Sequence, residues 1–521
     1  MTESRPGSQL LPGAPARRVR RPVIIQGGMG VGISDWRLAA AVTRAGQLGV
    51  VSGTALEVML ARRLQDGDHG GDVRRALAAF PVPRIAEWIL AAYYQPGGRA
   101  EGQPYRAVPR FTVQPAARLQ ELVVAANFVE VFLAKQAGGG PVGINYLRKI
   151  EMPLPAGCYG ALLAGVDYLL VGAGNPGELP ELVRRLSRNE DVDLPVRVQG
   201  ARSCDGPYSI GFSPASVVGP DAAPLRRAEV IAIVASNDLA RALAEDPAAR
   251  PDGFVVEGPS AGGHNAPPRG PRRTDALGQP VYDARDGVDI ADIVRLGLPV
   301  WLAGSYGTPA GVRAALAAGA TGVQVGTVFA YCVESGFDPE VKARVLADIA
   351  RGVARTRSDW RVSPTGFPFR VVELDGTLSD PAVHVARTPV CDLGMLRSAY
   401  LGSDGKVGYR CPAEPASAYV ERKGGREATM AGRVCLCNAL LAAAGMPQRR
   451  RNGYVEPALV TAGSDLAGVA ELLRGAPAGE NSYRAADAVR HLLSELPDDP
   501  SSDGDALRLP DERHLVASTV G

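Results

Sequence analysis

Long apolar runs are missing from this chain. No stretch reaches the ~18 consecutive apolar residues that a membrane-spanning helix needs, so a helical membrane protein is excluded and no membrane partner is expected. A dominant charge is missing as well. The 57 Lys and Arg against 55 Asp and Glu leave a net +2, which gives no electrostatic case for nucleic acid or an anionic membrane as the main partner. Cysteine is sparse, seven in 521 residues, odd in number and scattered. That usage fits reduced thiols in a cytoplasm rather than a disulfide framework. The opening stretch, 1–20, is rich in Pro, Gly and Arg but has no apolar core of the signal-peptide kind, and it reads as a disordered basic tail.

What is present is an ordinary soluble balance, 46% hydrophobic and 21% charged, with 62 glycines. The length suits one large domain with additions, or two to three ordinary ones. Between residues 21 and 360 short β-like runs alternate with helix-like segments. Nine strand candidates can be marked: Val23–Ile25, Leu48–Gly53, Pro141–Asn145, Asp167–Gly172, Leu194–Val198, Val230–Ala235, Gly253–Glu257, Val300–Ala303 and Gly322–Val325. Most are continuously apolar, as parallel strands covered on both faces should be. The repeat predicts an α/β fold, a TIM (β/α)8 barrel, with one of the nine candidates misread or part of an elaboration. Helices are expected after Ser34-Asp35, a good N-cap pair, through Leu56–Leu64 and through Ile85–Tyr94.

Three segments read as insertions: about 80–135, 201–227 and 266–285, the last a polar, proline-rich lid candidate. Beyond Trp360 the repeat stops. Residues 361–521 read as a C-terminal extension, irregular at first and then two short helices between Leu466 and Leu496, with frayed last residues.

Chemistry concentrates in glycine-rich loops that leave strands. Gly258-Pro259-Ser260-Ala261-Gly262-Gly263-His264 follows an apolar strand and holds a histidine, whose near-neutral pKa suits it to moving protons. Glycine there permits close approach of a ligand. Ala303–Gly307 and Gly322–Thr327 leave the last two strands, where barrels commonly cradle a phosphate with loop amides. Gly172-Ala173-Gly174-Asn175-Pro176-Gly177 fits G-x-G-x-x-G, yet no acidic residue ends the next strand, so a dinucleotide fold is disfavoured. Glu257 and Asp252 flank the histidine strand, and their ordinary reading is salt-bridged or capping carboxylates.

Gln26-Gly27-Gly28-Met29, the Ala261–His264 loop, Ala303-Gly304 and Gln324-Val325-Gly326-Thr327, in this order, resemble the nitronate monooxygenase family, which includes related FMN-type enoyl reductases. The resemblance covers about residues 21–352. It implies FMN lying across the C-terminal strand ends. Gln26, Gly27, Gly28 and Met29 would line the flavin ring, with Gly262 and Gly263 beside it, and Asn145 would touch its polar edge. Gly304, Ser305, Gly307, Gly326 and Thr327 would hold the phosphate. His264 would face the substrate as base or orienting group. The implied reaction is oxidation of an alkyl nitronate with O2 to a carbonyl compound and nitrite.

The histidine loop is longer than the family's compact form, Ser305 replaces a usual glycine, and the strand Val230–Ala235 lacks the lysine some members place near the flavin. Lys149 is a candidate substitute. The alternatives are an NAD(P)H-dependent FMN reductase of an unsaturated acyl or polyketide-type substrate, a flavin-free phosphate-ligand barrel, and a non-catalytic biosynthetic partner. A homo-oligomer is compatible with all of them. In the extension, Cys391, Cys411, Cys435 and Cys437 could offer four thiolates, but C-x-C is not the usual structural-zinc spacing. Ordinary reduced cysteines with no metal are the expectation. Ser363–Pro368 reads either as a loop returning over the barrel mouth or as a plain connector.

Overall fold

The computed structural model describes residues 21–477 and 480–497, so the expected basic tail and frayed end lie outside the described residues. Eight parallel strands form one sheet. They are β1 (Ile24–Gln26), β2 (Gly49–Ser52), β3 (Val142–Leu147), β4 (Tyr168–Gly172), β5 (Glu229–Val234), β6 (Gly253–Glu257), β7 (Val300–Ala303) and β8 (Gly322–Val325). Each pairs with its sequence neighbour, and β8 returns to β1 through Ile24↔Val323 and Gln26↔Val325. Between β1 and β2 the bridge Ile25↔Leu48 closes the ring. The result is a barrel. Its interior is filled by Ile25, Leu48, Val50, Leu170, Val255 and Trp301, all fully buried, as layered side chains fill such barrels.

The ninth candidate resolves by its burial pattern. Val192–Pro195 alternates buried and exposed residues and pairs antiparallel with Ser209–Phe212, outside the barrel. The true barrel strands are buried almost from end to end, which is the periodicity difference between one covered face and two.

Two segment readings change. The stretch 80–135 contains the expected helix, Pro83–Tyr93. It also contains most of Ala117–Gly138, a helix packed between Trp36–Arg44 and Leu154–Leu163 in the outer ring. That helix is therefore a barrel helix. Its buried residues, which include Glu121, Asn127 and Glu130, run all around it, so it lacks the one-sided stripe that marks a surface helix.

The first part of the extension is more ordered than its sequence suggests. Phe369–Val372 pairs antiparallel with both Thr356–Asp359 and Gly263–His264. Ser398–Leu401 and Val407–Arg410 make a hairpin that adds Val198–Gln199 as a parallel neighbour. Strands of two to four residues are too short to leave a periodic signal. The helices Ala467–Arg474 and Ala485–Leu493 match the two expected near the end. No described helix is long and apolar enough to cross a membrane.

Candidate active site

The glycine-rich exits of β1, β6, β7 and β8 converge at the C-terminal end of the barrel on one cavity of about 390 Å3. Gly27, Gly28, Met29, Asn145, Gly262, Gly263, His264, Gly304, Ser305, Gly307, Gly326 and Thr327 all line it. Gln26 does not. Its side chain is fully buried, with Nε2 donating to Ser34 Oγ at 2.8 Å and Oε1 accepting Val50 N–H at 3.0 Å. The amide thus reinforces the seam where β1 and β2 have little main-chain pairing, directing its side chain away from the cavity.

Close approach explains two of the glycines. A Cβ on Gly28 would lie 2.3 Å from Asn145 Cβ, and one on Gly262 would lie 2.8 Å from the Ala462 carbonyl carbon. The β7 exit turns through positive φ at Gly304 (92°) and at Ser305 (60°). Serine in that region is uncommon. Thr327 Oγ1 accepts the N–H of Gly463 at 2.9 Å, which ties the β8 exit to the extension. The Gly172–Gly177 motif lies on the β4 exit of the barrel, and Gly172, Ala173 and Gly174 reach the same cavity.

His264 is held from the extension. Its Nε2 meets Ser363 Oγ at 2.7 Å and Thr365 Oγ1 at 3.3 Å, and those two hydroxyls lie 2.8 Å apart. The Phe369 ring packs edge-on at 4.8 Å, and the strand pair His264↔Phe369 fixes the loop backbone. The segment 363–368 therefore runs over the barrel mouth. Burial, and then the nearby Lys149 ammonium, hold the imidazole well below its ordinary range, so it is neutral at physiological pH.

Two charged groups share the cavity with it. Burial brings Lys149 down to about 8, opposed by the Glu257 carboxylate. Burial raises Glu257 to about 7, opposed by Lys149. Phe367 lies over the ammonium, with Nζ 3.5 Å from the ring centroid. Asp252 has the ordinary structural role expected of it, accepting Val230 N–H at 2.7 Å and pairing with Arg227. Sequence reasoning set Glu257 aside and left Lys149 open, because neither sits in a motif. Strand register and the turn after β3 bring them together.

Gln324 adds a buried side-chain oxygen, Oε1, with no protein partner. The extension contributes the apolar side of the cavity through Phe367, Met395, Leu396, Leu436 and Leu440. The loop 266–285 touches it only at Ala266 and Pro267. Neutral imidazole, ammonium and carboxyl thus face one partly apolar space floored by glycine main chain. Such a space can hold a planar, phosphate-bearing group beside a small organic molecule.

A family model described as nitronate monooxygenase matches residues 221–361. Over 210 residues the chain is 30% identical to a nitronate monooxygenase of Paraburkholderia phytofirmans, covering 39% of this chain and 52% of that protein. Over 124 residues it is 36% identical to the (3aS,4S,5R,7aS)-5-hydroxy-7a-methyl-1-oxo-octahydro-1H-indene-4-carboxyl-CoA dehydrogenase of Rhodococcus jostii, covering 24% and 30%. The chain thus matches about half the length of the first of these relatives and less of the second. A solved nitroalkane oxidase of Streptomyces ansochromogenes aligns over 91% of this chain and 95% of its own, at 17% identity and a TM-score of 0.43.

Proposed function

We propose that the chain, whose residues 221–361 match the family model described as nitronate monooxygenase, is an FMN-dependent oxidoreductase whose leading reaction is oxidation of an alkyl nitronate by O2. The observation that carries this reading is the convergence of four glycine-rich strand exits on one cavity with His264, Lys149 and Glu257. The walls fit the cofactor. Glycine main chain at the β1 and β6 exits admits a flat ring, and the β7 and β8 exits offer loop amides for a phosphate. The unpartnered Gln324 Oε1 is a buried acceptor suited to a ring N–H.

FMN would supply the redox step, taking electrons from the nitronate and delivering them to O2. The protein would supply position and charge. Neutral His264, its ring fixed by Ser363 and Thr365, would accept the α-proton of a nitroalkane or orient its anion. The Lys149 ammonium would pair with the nitro oxygens, and Glu257 would hold that ammonium in place. The apolar wall from the extension would take the alkyl chain and keep water out.

One observation favours a second reaction. Nitronate oxidation needs no acid, yet Lys149 titrates near neutrality beside an apolar arm. That combination suits protonation of an unsaturated acyl substrate after hydride delivery from NAD(P)H through FMN, and the Rhodococcus relative is named for an acyl-CoA substrate.

The test is the visible spectrum of the purified protein without oxygen. Bleaching of a flavin band by an alkyl nitronate, but not by NAD(P)H, is the expected result. Bleaching by NAD(P)H alone would transfer the assignment to the reductase, and a colourless protein that gains no FMN on reconstitution would overturn both.

A further inference from the structure

Four of the seven cysteines fall between residues 391 and 437, and the fold gathers all four. Cys411 and Cys435 are each 5% exposed and form a small buried cluster with Ala413, against which Cys391 and Cys437 pack. They come from separate pieces of chain: a loop, the end of the hairpin strand Val407–Arg410, and both sides of the N-terminus of helix Leu436–Ala443. Cross-links around the cluster pin these pieces. Asn438 Nδ2 donates to Asp392 Oδ1 at 2.7 Å, and Arg450 donates to the same carboxylate at 2.8 Å.

We propose that Cys391, Cys411, Cys435 and Cys437 form a structural zinc site, four thiolates closing a tetrahedral shell. Soft thiolates select zinc among common divalent ions, and four protein ligands leave no open position for chemistry. A donor to sulfur is already in place: Asn438 Nδ2 donates to Cys435 Sγ at 3.6 Å. Such N–H···S contacts stabilise thiolates and orient metal ligands.

Binding replaces four thiol protons by one dication and leaves a net charge of −2. Among the described residues no group of His, Cys, Asp or Glu is already arranged to hold an ion. Zinc binding would draw the clustered sulfurs into one shell.

The surroundings supply a reason for such a site. The cysteine cluster holds only Ala413 besides the thiols and stands beside the apolar cluster of Val434, Leu436 and Ala439, and small irregular segments of this kind are commonly held by a metal. Cys437 and its neighbour Leu436 also line the main cavity. Zinc would therefore brace the apolar wall of the candidate active site without touching substrate chemistry.

The full-length protein, purified without chelator, would be assayed for metals by inductively coupled plasma mass spectrometry. About one zinc per chain is expected, lost in the Cys435→Ser/Cys437→Ser double variant. If that variant does not fold, the wild-type chain produced with cobalt in place of zinc should show the intense visible bands of tetrahedral cobalt thiolate. The same protein should release its zinc when a mercurial titrates the buried thiols. Absence of stoichiometric metal with four free thiols, a disulfide among these cysteines by mass spectrometry, or iron in place of zinc would each overturn the assignment. None of these readouts depends on flavin content or turnover.

Discussion

In the barrel, the strands are covered on both faces and hold one another by parallel main-chain pairing around an apolar interior. In residues 361–497 the strands have four residues or fewer, run largely antiparallel and lean on caps, ion pairs and a thiol cluster. The two regions nevertheless share one cavity. The barrel supplies glycine main chain and the Lys149, Glu257 and His264 side chains. The extension supplies the apolar wall and the hydroxyls that fix His264. The division shows how a regular scaffold can carry the candidate reacting groups while a less regular one shapes the cavity around them.

The largest expected effect falls on the barrel side. Lys149→Met should lower kcat by roughly 100-fold or more while the flavin spectrum of the purified variant is kept. An unchanged kcat would remove Lys149 from the chemistry and leave the extension as the main determinant of the site.

Buried carboxylates should separate the regions by sign. In the extension Glu456 is fully buried against Arg387, so Glu456→Gln strands a guanidinium and should cost about 3–5 kcal/mol. In the barrel, Glu57 is buried with no ion-pair partner among the described residues, and burial raises its carboxyl from 4.5 to about 7. A raised carboxyl pKa means that the folded state prefers the neutral form. Stability from this group is therefore complete below about 4.5 and is lost as pH rises toward 7. Glu57→Gln should then stabilise little at pH 4.5 and by up to about 3 kcal/mol above pH 7. Denaturant unfolding at the two pH values measures both variants, and a pH-independent Glu57→Gln would show that the carboxylate has found compensation.

The seam between the regions comes next. A Cβ on Gly468, in the extension, would sit 1.8 Å from the Gly307 carbonyl oxygen of the β7 exit. Gly468→Ala should cost about 3 kcal/mol and loosen cofactor retention, seen as a lower Tm and flavin loss on dialysis. Gly405→Ala, at the hairpin turn with φ +74° and no neighbour within 4 Å, should cost only about 1 kcal/mol. Equal losses would mean that the seam yields as easily as a surface turn.

The smallest effect tests contact across the cavity. Phe367→Leu removes the ring that favours the charged form of Lys149. The alkaline fall in kcat, expected as pH rises through about 8, should move down by about half a pH unit. A pH–rate profile with no such shift would separate Phe367 from the lysine.

The chain sequence by itself determined the barrel. Runs such as Leu169–Val171 and Val300–Leu302 are apolar without alternation, which only a strand covered on both faces explains, and glycines at 27–28, 262–263, 304 and 326 marked the exits, where close approach at 28 and 262 leaves no room for a side chain and positive φ at 304 favours glycine. Those are local properties, written in neighbouring residues. Tertiary structure alone decided that Gln26 turns inward to close the β1–β2 seam, that Ala117–Gly138 is a barrel helix and that Val192–Pro195 is not a barrel strand. It also brought Lys149, Glu257 and the Ser363–Thr365 pair to His264, and Cys391 to Cys437 across 46 positions. Each of these depends on which distant segment arrives beside a residue, and neither residue type nor sequence spacing carries that information.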